Sequence, residues 1–370
     1  MLSYKTIRIL SCMTFIFVRR ISSIRPIVHT LPVLPPFSSS SLPSPPYVND
    51  FFRHWHCIGL SKNVNTKMPF VANIGDLPLV VWRNSAKPGD LSTTINICKH
   101  MGSKLNNAKI TENGCLKCQY HGFEYTKTDT VGQTVEHEGK IFWAYEPHCT
   151  RPHSIPYYYN PEYETSHLQI DMESSLIDSA LNTMDIRHPE YVHRLGFGSS
   201  NPPQNIKQYN YQNKNTDAQS VGISFDYISN GIMQTLNNNV KITHNHHMYI
   251  YPTFSWSHVQ FNKKSLLIGV NLLPLSKDRT RWFITIVHNY YKTDIGKRFM
   301  QILANTILNQ DYIQMRNQAA DTPLKRAIMF NKIFEDEETI LNLYTLFSKY
   351  EYPNIQMAAD LYKDFSQKLN

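Results

Sequence analysis

Four residues constrain this chain more than any others. Cys98 and His100 stand in the run Cys98-Lys99-His100 and, after seventeen intervening residues, Cys118 and His121 stand in Cys118-Gln119-Tyr120-His121. Each pair joins one thiolate to one imidazole, so the set offers two soft anionic ligands and two neutral nitrogens. That mixture suits a [2Fe-2S] cluster with two cysteines on one iron and two histidines on the other. Zinc is the competing reading, because Cys115-Leu116-Lys117-Cys118 is itself a Cys-x-x-Cys knuckle and zinc often takes two cysteines and two histidines. Zinc-finger spacing, however, pairs Cys with Cys and His with His, which favours the cluster and leaves Cys115 as a spare thiol beside it.

Gly102 follows the first pair and Gly122 the second, and glycine lets a loop tip approach a cluster without a Cβ clash. Tyr120, Phe123 and Tyr125 are placed to shield it from water. Cys-x-His, seventeen residues, then Cys-x-x-His-Gly-Phe resembles the Rieske domain of the Rieske non-haem iron oxygenases. Met101 stands where that family often carries Arg and Gln119 where Pro is common, neither of them a ligand position.

Length and composition set the frame. The 370 residues are enough for two domains, and 41% apolar with 12% aromatic residues supports packed cores. Six cysteines are too few for a disulfide scaffold, so Cys12, Cys57, Cys115 and Cys149 read as free thiols. A net charge of +8 would raise nucleic acid as a partner, but Lys5, Arg8, Arg19, Arg20 and Arg25 supply five of those charges before the first acid, Asp50. The rest is mildly basic, with no stripe of basic and aromatic residues, and nucleic acid is not expected.

Residues 1–50 read as a targeting or disordered segment, rich in Ser and Pro. The apolar run Ile9 to Val18 would make a helix of only about 15 Å, too short for a bilayer core of roughly 30 Å. The Arg and Ser bias suits a mitochondrial or plastid transit peptide, with a secretory signal and a plain disordered tail as competitors; without targeting the protein would be cytoplasmic. No later stretch reaches the eighteen or so apolar residues of a spanning helix.

Residues 51–150 read as the all-β Rieske domain. Trp55-His56-Cys57-Ile58-Gly59 resembles the family's entry strand, Leu79 to Asn84 reads as a buried strand, Thr94 to Ile97 leads into Cys98, and Ile141 to Tyr145 closes the domain. His54, His56 and His137 share no ligand pair with a cysteine and read as surface or packing residues.

In residues 151–370, Leu176, Ile177, Ala180, Leu181 and Met184 recur at helical spacing. Asn182, Asp185 and His188 fall three apart beside that stripe and can point together into a cavity. Pro189 predicts a break after His188, which would let His193 swing back beside it. Two imidazoles with one carboxylate make the facial triad of non-haem Fe(II) enzymes. The segment matches the Asn-x2-Asp-x2-His-x4-His motif of the family at every spacing. The resemblance then implies that His188 and His193 bind a mononuclear iron, while Asp185 hydrogen-bonds a histidine on the electron path from the cluster.

The third ligand is expected late, after strands around 221–225, 248–251, 266–270 and 282–287. Asp311 lies in helical spacing that runs through Phe299, Ile302, Leu303, Thr306, Ile307 and Ile313, and Asn309-Gln310-Asp311 with Gln318 resembles the family's Gln/Glu-Asp segment. Asp336 in an acidic run is the rival. His244, His246 and His247 form another dense group; as a strand, two could line a cavity, but a loop or surface position is the expectation.

The sequence therefore predicts an α+β chain: an N-terminal all-β Rieske [2Fe-2S] domain and a C-terminal helix-grip-like catalytic domain with an antiparallel sheet. The resemblance implies an oxygenase that takes electrons from a ferredoxin or flavin reductase and uses dioxygen to hydroxylate, dealkylate or desaturate a small organic substrate, working as a homotrimer. An electron carrier without oxygenase chemistry is the alternative.

Overall fold

The computed structural model describes residues 50–84, 87, 89–193, 202–212, 219–228, 242–318 and 338–368. The N-terminal segment and Asp336 lie outside the described residues. Nine short strands come first: β1 (His56–Leu60), β2 (Phe70–Ile74), β3 (Leu77–Arg83), β4 (Leu91–Ile95), β5 (Lys109–Ile110), β6 (Leu116–Lys117), β7 (Glu124–Tyr125), β8 (Gln133–His137) and β9 (Lys140–Ala144). They form three antiparallel sheets of three strands, β1-β9-β8, β2-β3-β4 and β5-β6-β7. The strands expected from Trp55 to Gly59, Leu79 to Asn84, Thr94 to Ile97 and Ile141 to Tyr145 correspond to β1, β3, β4 and β9.

The third sheet has a small core of its own, with Val80, Trp82, Leu105, Leu116 and Tyr125 packed around the buried Cys98 and Cys118. Its two loops are built alike. In each, the cysteine N–H donates to the carbonyl five residues on, Cys98 to Ser103 at 2.7 Å and Cys118 to Phe123 at 2.8 Å. The glycine four residues on donates back to the cysteine carbonyl, Gly102 at 2.8 Å and Gly122 at 3.0 Å. Those glycines have φ of 71° and 76°, a region that costs an L side chain energy. Nothing lies within 4 Å of a Cβ built on Gly102, so at this position backbone conformation, not crowding, asks for glycine.

A seven-stranded antiparallel sheet follows, ordered β10-β16-β15-β14-β13-β12-β11, from β10 (Glu164–Met172), β11 (Gln204–Gln212), β12 (Gln219–Ile228), β13 (Ile242–Ile250), β14 (Phe254–Phe261), β15 (Lys264–Ser276) and β16 (Arg279–His288). The chain lays down one edge with β10, crosses through α1 (Leu176–Met184) and α2 (His188–Tyr191), starts again at the opposite edge and winds back until β16 pairs with β10. The long helix α3 (Asp294–Arg316) then returns beside β10, and α4 (Glu338–Leu346) and α5 (Ile355–Lys368) complete the described chain. This is the expected α+β arrangement. One continuous core joins Phe52, in the helical turn before β1, and Ile58 and Trp143 of the first sheet to Met172, Leu272 and Phe283 of the large one.

Buried charge also marks that junction. Lys140, 1% exposed, donates from Nζ to Thr285 Oγ1 at 2.8 Å and lies 3.9 Å from the buried Glu138 carboxylate, which also accepts from the Ile155 N–H. Burial pulls the Lys140 amine down and pushes the Glu138 acid up.

The break near Pro189 is placed differently from expectation. α1 ends at Met184, and Asp185 is already extended with ψ 110°. Pro189 opens α2 rather than closing α1, because its missing N–H costs nothing in a first turn. Asp185 Oδ1 accepts from the N–H groups of Arg187 at 2.8 Å and His188 at 3.2 Å, which holds the intervening turn.

Candidate functional site

His188 sits at the start of α2 and His193 just beyond its end, so one tight turn aims both rings the same way. Their centroids lie 5.1 Å apart and nearly perpendicular. Asp311 comes from the buried side of α3 and is 5% exposed. Its Oδ1 lies 3.1 Å from His193 Nε2 and 3.6 Å from His188 Nε2. The three ligand atoms fall within 4.8 Å of one another.

The opposite ring nitrogens decide what that closeness means. His188 Nδ1 lies 2.8 Å from the Asp185 carbonyl, an acceptor only, so Nδ1 carries the hydrogen. His193 Nδ1 lies 2.9 Å from Gln310 Oε1 and donates likewise. In the neutral rings both Nε2 atoms then present lone pairs to a carboxylate, and Asp311 Oδ1 has no aligned donor although it is buried. Lone pairs converging without a proton between them suit a cation. Burial lowers the His193 pKa, but the neighbouring Asp311 carboxylate outweighs it and, with Gln310, leaves it raised, so a proton competes for the same place. Two histidines and one carboxylate are the donor set of a non-haem Fe(II) site.

These residues edge a cavity of about 210 Å³ between the large sheet and α3. Ile284 and Ile286 of β16 and Leu303 and Ile307 of α3 make much of its wall. Asn182 lines it as expected; Asp185 does not, and its carboxylate is 44% exposed. The helix register that would have turned Asp185 inward is lost where α1 ends. The histidine group 244–247 lies in β13 rather than in a loop, and of the three only His247 faces the cavity. His244 is 69% exposed and bonded to Asp226 at 2.6 Å, and His246 to Ser224 at 2.7 Å.

At the first pair of motifs, Cys98 and Cys118 are buried while His100 and His121 are exposed. The imidazole Nδ1 atoms face each other at 3.1 Å. Burial would raise the Cys98 thiol, yet the Tyr125 hydroxyl and the His100 N–H donate to it and, with Cys118 and Met101, hold it below its ordinary value. The Lys99 N–H in turn donates to Tyr125 at 2.7 Å. Two buried thiols and an exposed pair of imidazoles fit a cluster that meets solvent or a partner through its histidine edge. Cys57, Cys115 and Cys149 are free, as expected. His56 and His137 pack as expected, His56 bonded to the Phe51 carbonyl and His137 to Ser154. His54 joins Asp50 and His148 in a second compact group, held by hydrogen bonds of 3.3 and 2.7 Å to the shared carboxylate.

Gln310 was visible in the sequence beside Asp311, but nothing there assigned it to His193, and His247 could be assigned to a wall only once β13 was paired.

Residues 54–145 match the Rieske [2Fe-2S] domain. The chain is 28% identical over 167 residues to the oxygenase component of dicamba O-demethylase from Stenotrophomonas maltophilia, covering 38% of this chain and 47% of that protein. It is 18% identical over 324 residues to the chloroplastic pheophorbide a oxygenase of Arabidopsis thaliana, covering 72% and 55%. The matches thus span about half the length of these relatives. Among solved structures, dicamba monooxygenase bound to 3,6 dichlorosalicylic acid superposes with a TM-score of 0.63 at 14% identity, over 86% of this chain and 98% of that one. The chain carries a Rieske [2Fe-2S] domain over residues 54–145 and shares its overall fold with these solved oxygenase structures.

Proposed function

We propose that this chain is the terminal component of a Rieske oxygenase, with Cys98, His100, Cys118 and His121 holding the cluster and His188, His193 and Asp311 holding a mononuclear Fe(II). One observation carries the reading: two imidazoles with their Nδ1 atoms bonded elsewhere turn both Nε2 lone pairs onto a buried carboxylate beside an apolar cavity. A ferrous ion there would supply activation of dioxygen, with electrons delivered by way of the cluster. The chain's own residues do the rest. Gln310 and the Asp185 carbonyl fix the two rings, the apolar wall excludes water, and the cavity holds an organic substrate for hydroxylation, dealkylation or desaturation. An electron carrier would leave both the triad and the cavity without a use.

The working division is a targeting segment over 1–50, the Rieske domain over 51–150 and the catalytic domain over 151–370. A ferredoxin or flavin reductase would supply electrons. The exposed Asp185 carboxylate is proposed to reach a cluster histidine of a neighbouring copy in a homotrimer; α3 exposes Ile295, Phe299, Ile302 and Ile313, an apolar stripe that suits burial against another chain. No described helix is long and apolar enough to cross a membrane, and plastid or mitochondrial import is proposed from the Arg and Ser bias of the first residues.

Iron analysis with His188→Ala tests the reading. The purified protein should hold three irons per chain and the variant two, with the visible absorption of the cluster unchanged and oxygen uptake abolished. A variant that keeps three irons, or a parent protein that holds two, refutes it.

A further inference from the structure

Among the described residues, two sets of three His, Cys, Asp or Glu side chains each bring their ligand atoms within 4.8 Å of one another: the triad at the large cavity, and Asp50 with His54 and His148. Asp50 opens the helical turn Asp50–Arg53, and His54 follows four residues after it. The backbone delivers His148 to them from beyond β9. The Tyr145 N–H donates to the Phe52 carbonyl at 2.8 Å, and the His148 N–H to the Arg53 carbonyl at 3.1 Å. His54 Nε2 then faces Asp50 Oδ2 at 3.3 Å, and His148 Nε2 faces Oδ1 at 2.7 Å. Packing holds both rings, whose side chains are only 11% and 14% exposed. Their centroids lie 5.3 Å apart, and the Tyr251 ring meets His54 edge-on at 5.7 Å. Hydrogen bonds from His54 and His148 outweigh burial and keep the Asp50 carboxyl well below the carboxylate range.

Unlike the triad rings, neither of these has an acceptor bonded to Nδ1 among the described residues, so the proton can sit on either nitrogen. With Nε2–H, both rings donate to the carboxylate. With Nδ1–H, both turn lone pairs onto it, and a cation can take the place of the two protons with little movement. We infer that Asp50, His54 and His148 form a second metal site, for a divalent ion of the zinc class, which staples the turn before β1 to the segment that leaves β9. Two imidazole nitrogens and a carboxylate oxygen supply three of the four ligands zinc takes, and the Asp50 side chain, 62% exposed, leaves the fourth to water. The ion is a structural one. The recess beside the rings is about 20 Å³, room for about one water, against about 210 Å³ at the triad. Such donors also bind zinc ahead of Fe(II). Arg53 edges the recess as well, its Nε bonded to the Glu146 carbonyl at 3.3 Å. Its charge opposes an ion, so Arg53→Gln should bind zinc at least as tightly as the parent. None of the three ligands edges the large cavity or belongs to the cluster motif, so the site is independent of the oxygenase reading.

Zinc titration of the iron-loaded full-length protein tests this, with zinc and iron counted after gel filtration and urea midpoints measured with and without zinc. The parent should hold one zinc per chain more than His148→Ala, with iron unchanged; zinc held at the triad cancels in that difference. The parent's midpoint should rise with zinc, because the ion binds the folded chain. Asp50→Asn keeps an acceptor for the rings and removes the charge. Its zinc affinity should fall at least about 10-fold, the smaller of the losses seen when even a supporting group of a metal site is removed, while its zinc-free midpoint stays close to the parent's. Equal zinc in the parent and His148→Ala, zinc gained only as iron is lost, or zinc bound with no rise in the midpoint would overturn the inference. Should His148→Ala not fold, as read from the visible absorption of the cluster, Asp50→Asn at its exposed position decides alone.

Discussion

Replacing Gln310 with Leu would perturb the proposed metal site without touching a proposed ligand. The amide oxygen accepts from His193 Nδ1 at 2.9 Å, and His193 is only 4% exposed, so no solvent stands ready to replace it. The variant has two ways out. Either the Nδ1–H stays and is left buried without an acceptor, at about 1–3 kcal/mol, or the proton moves to Nε2. In the second case it points at Asp311 Oδ1, 3.1 Å away, and occupies the cation's place. Both routes tax the bound state, and loss of an outer hydrogen bond to a metal-binding histidine typically weakens affinity roughly 10- to 100-fold, equivalent to about 1.4–2.7 kcal/mol. Competition of Fe(II) against a chelator under anaerobic conditions measures this directly, and the visible band of the cluster reports in the same cuvette that the rest of the chain is folded. Gln310→Glu keeps an acceptor at the position and should restore most of the affinity. A change of less than threefold in Gln310→Leu, with the cluster band intact, would show that His193 is not oriented through Nδ1 and would remove the lone-pair argument with it.

Other consequences concern stability. His56 is fully buried with its pKa lowered to about 3, chiefly by burial. The unfolded chain therefore binds the extra proton first: stability is level above about pH 6.5 and falls as pH drops from there toward 3, by up to about 1.4 kcal/mol per pH unit for one such histidine. Urea titrations at pH 7.5 and 5.5 should show the loss, and His56→Gln should reduce it. Lys140→Met should cost about 3–5 kcal/mol because it strands the buried Glu138 carboxylate, whereas Lys140→Met with Glu138→Gln should recover much of that in the same titration. Gly75 has φ 56°, and a Cβ there would lie 2.4 Å from the Pro353 carbonyl, so Gly75→Ala should destabilise by about 1–3 kcal/mol; an unchanged urea midpoint would contradict this.

The sequence made the candidate ligand positions legible and left their supports hidden, for a physical reason. A ligand set is bound by residue type and short spacing, and both are written along the chain. Cys98 and His100, or His188 and His193, need no knowledge of the fold to be paired. Asp311 was legible only through helical spacing and the run around it. Its partner Gln310 lies 117 residues from His193, and no local rule connects them. The break near Pro189 was placed wrongly for a related reason. The proline rule states that a helix interior is excluded, but both ending a helix and opening one satisfy it. The two hydrogen bonds to Asp185 Oδ1 decided between them.

His247 shows where sequence reading stops. Alternation along β13 divides His244 and His246 from His247 whatever the fold, yet it does not say which face is wet. That depends on α3, which covers the sheet from fifty residues further on and turns one face into a cavity wall. The same helix brings Asp311 to the two histidines. The element that completes the candidate triad therefore also chooses the wall, and His247 on the odd-numbered side of β13 becomes a cavity-lining residue because of a helix that β13 itself could not predict. A substitution on the even-numbered side, such as His244→Ala, meets solvent and an exposed Asp226 pair worth at most about 1 kcal/mol, and should move the urea midpoint by no more than that. Were it to destabilise the chain as a buried substitution does, by about 2 kcal/mol or more, the facing deduced for the strand would be wrong.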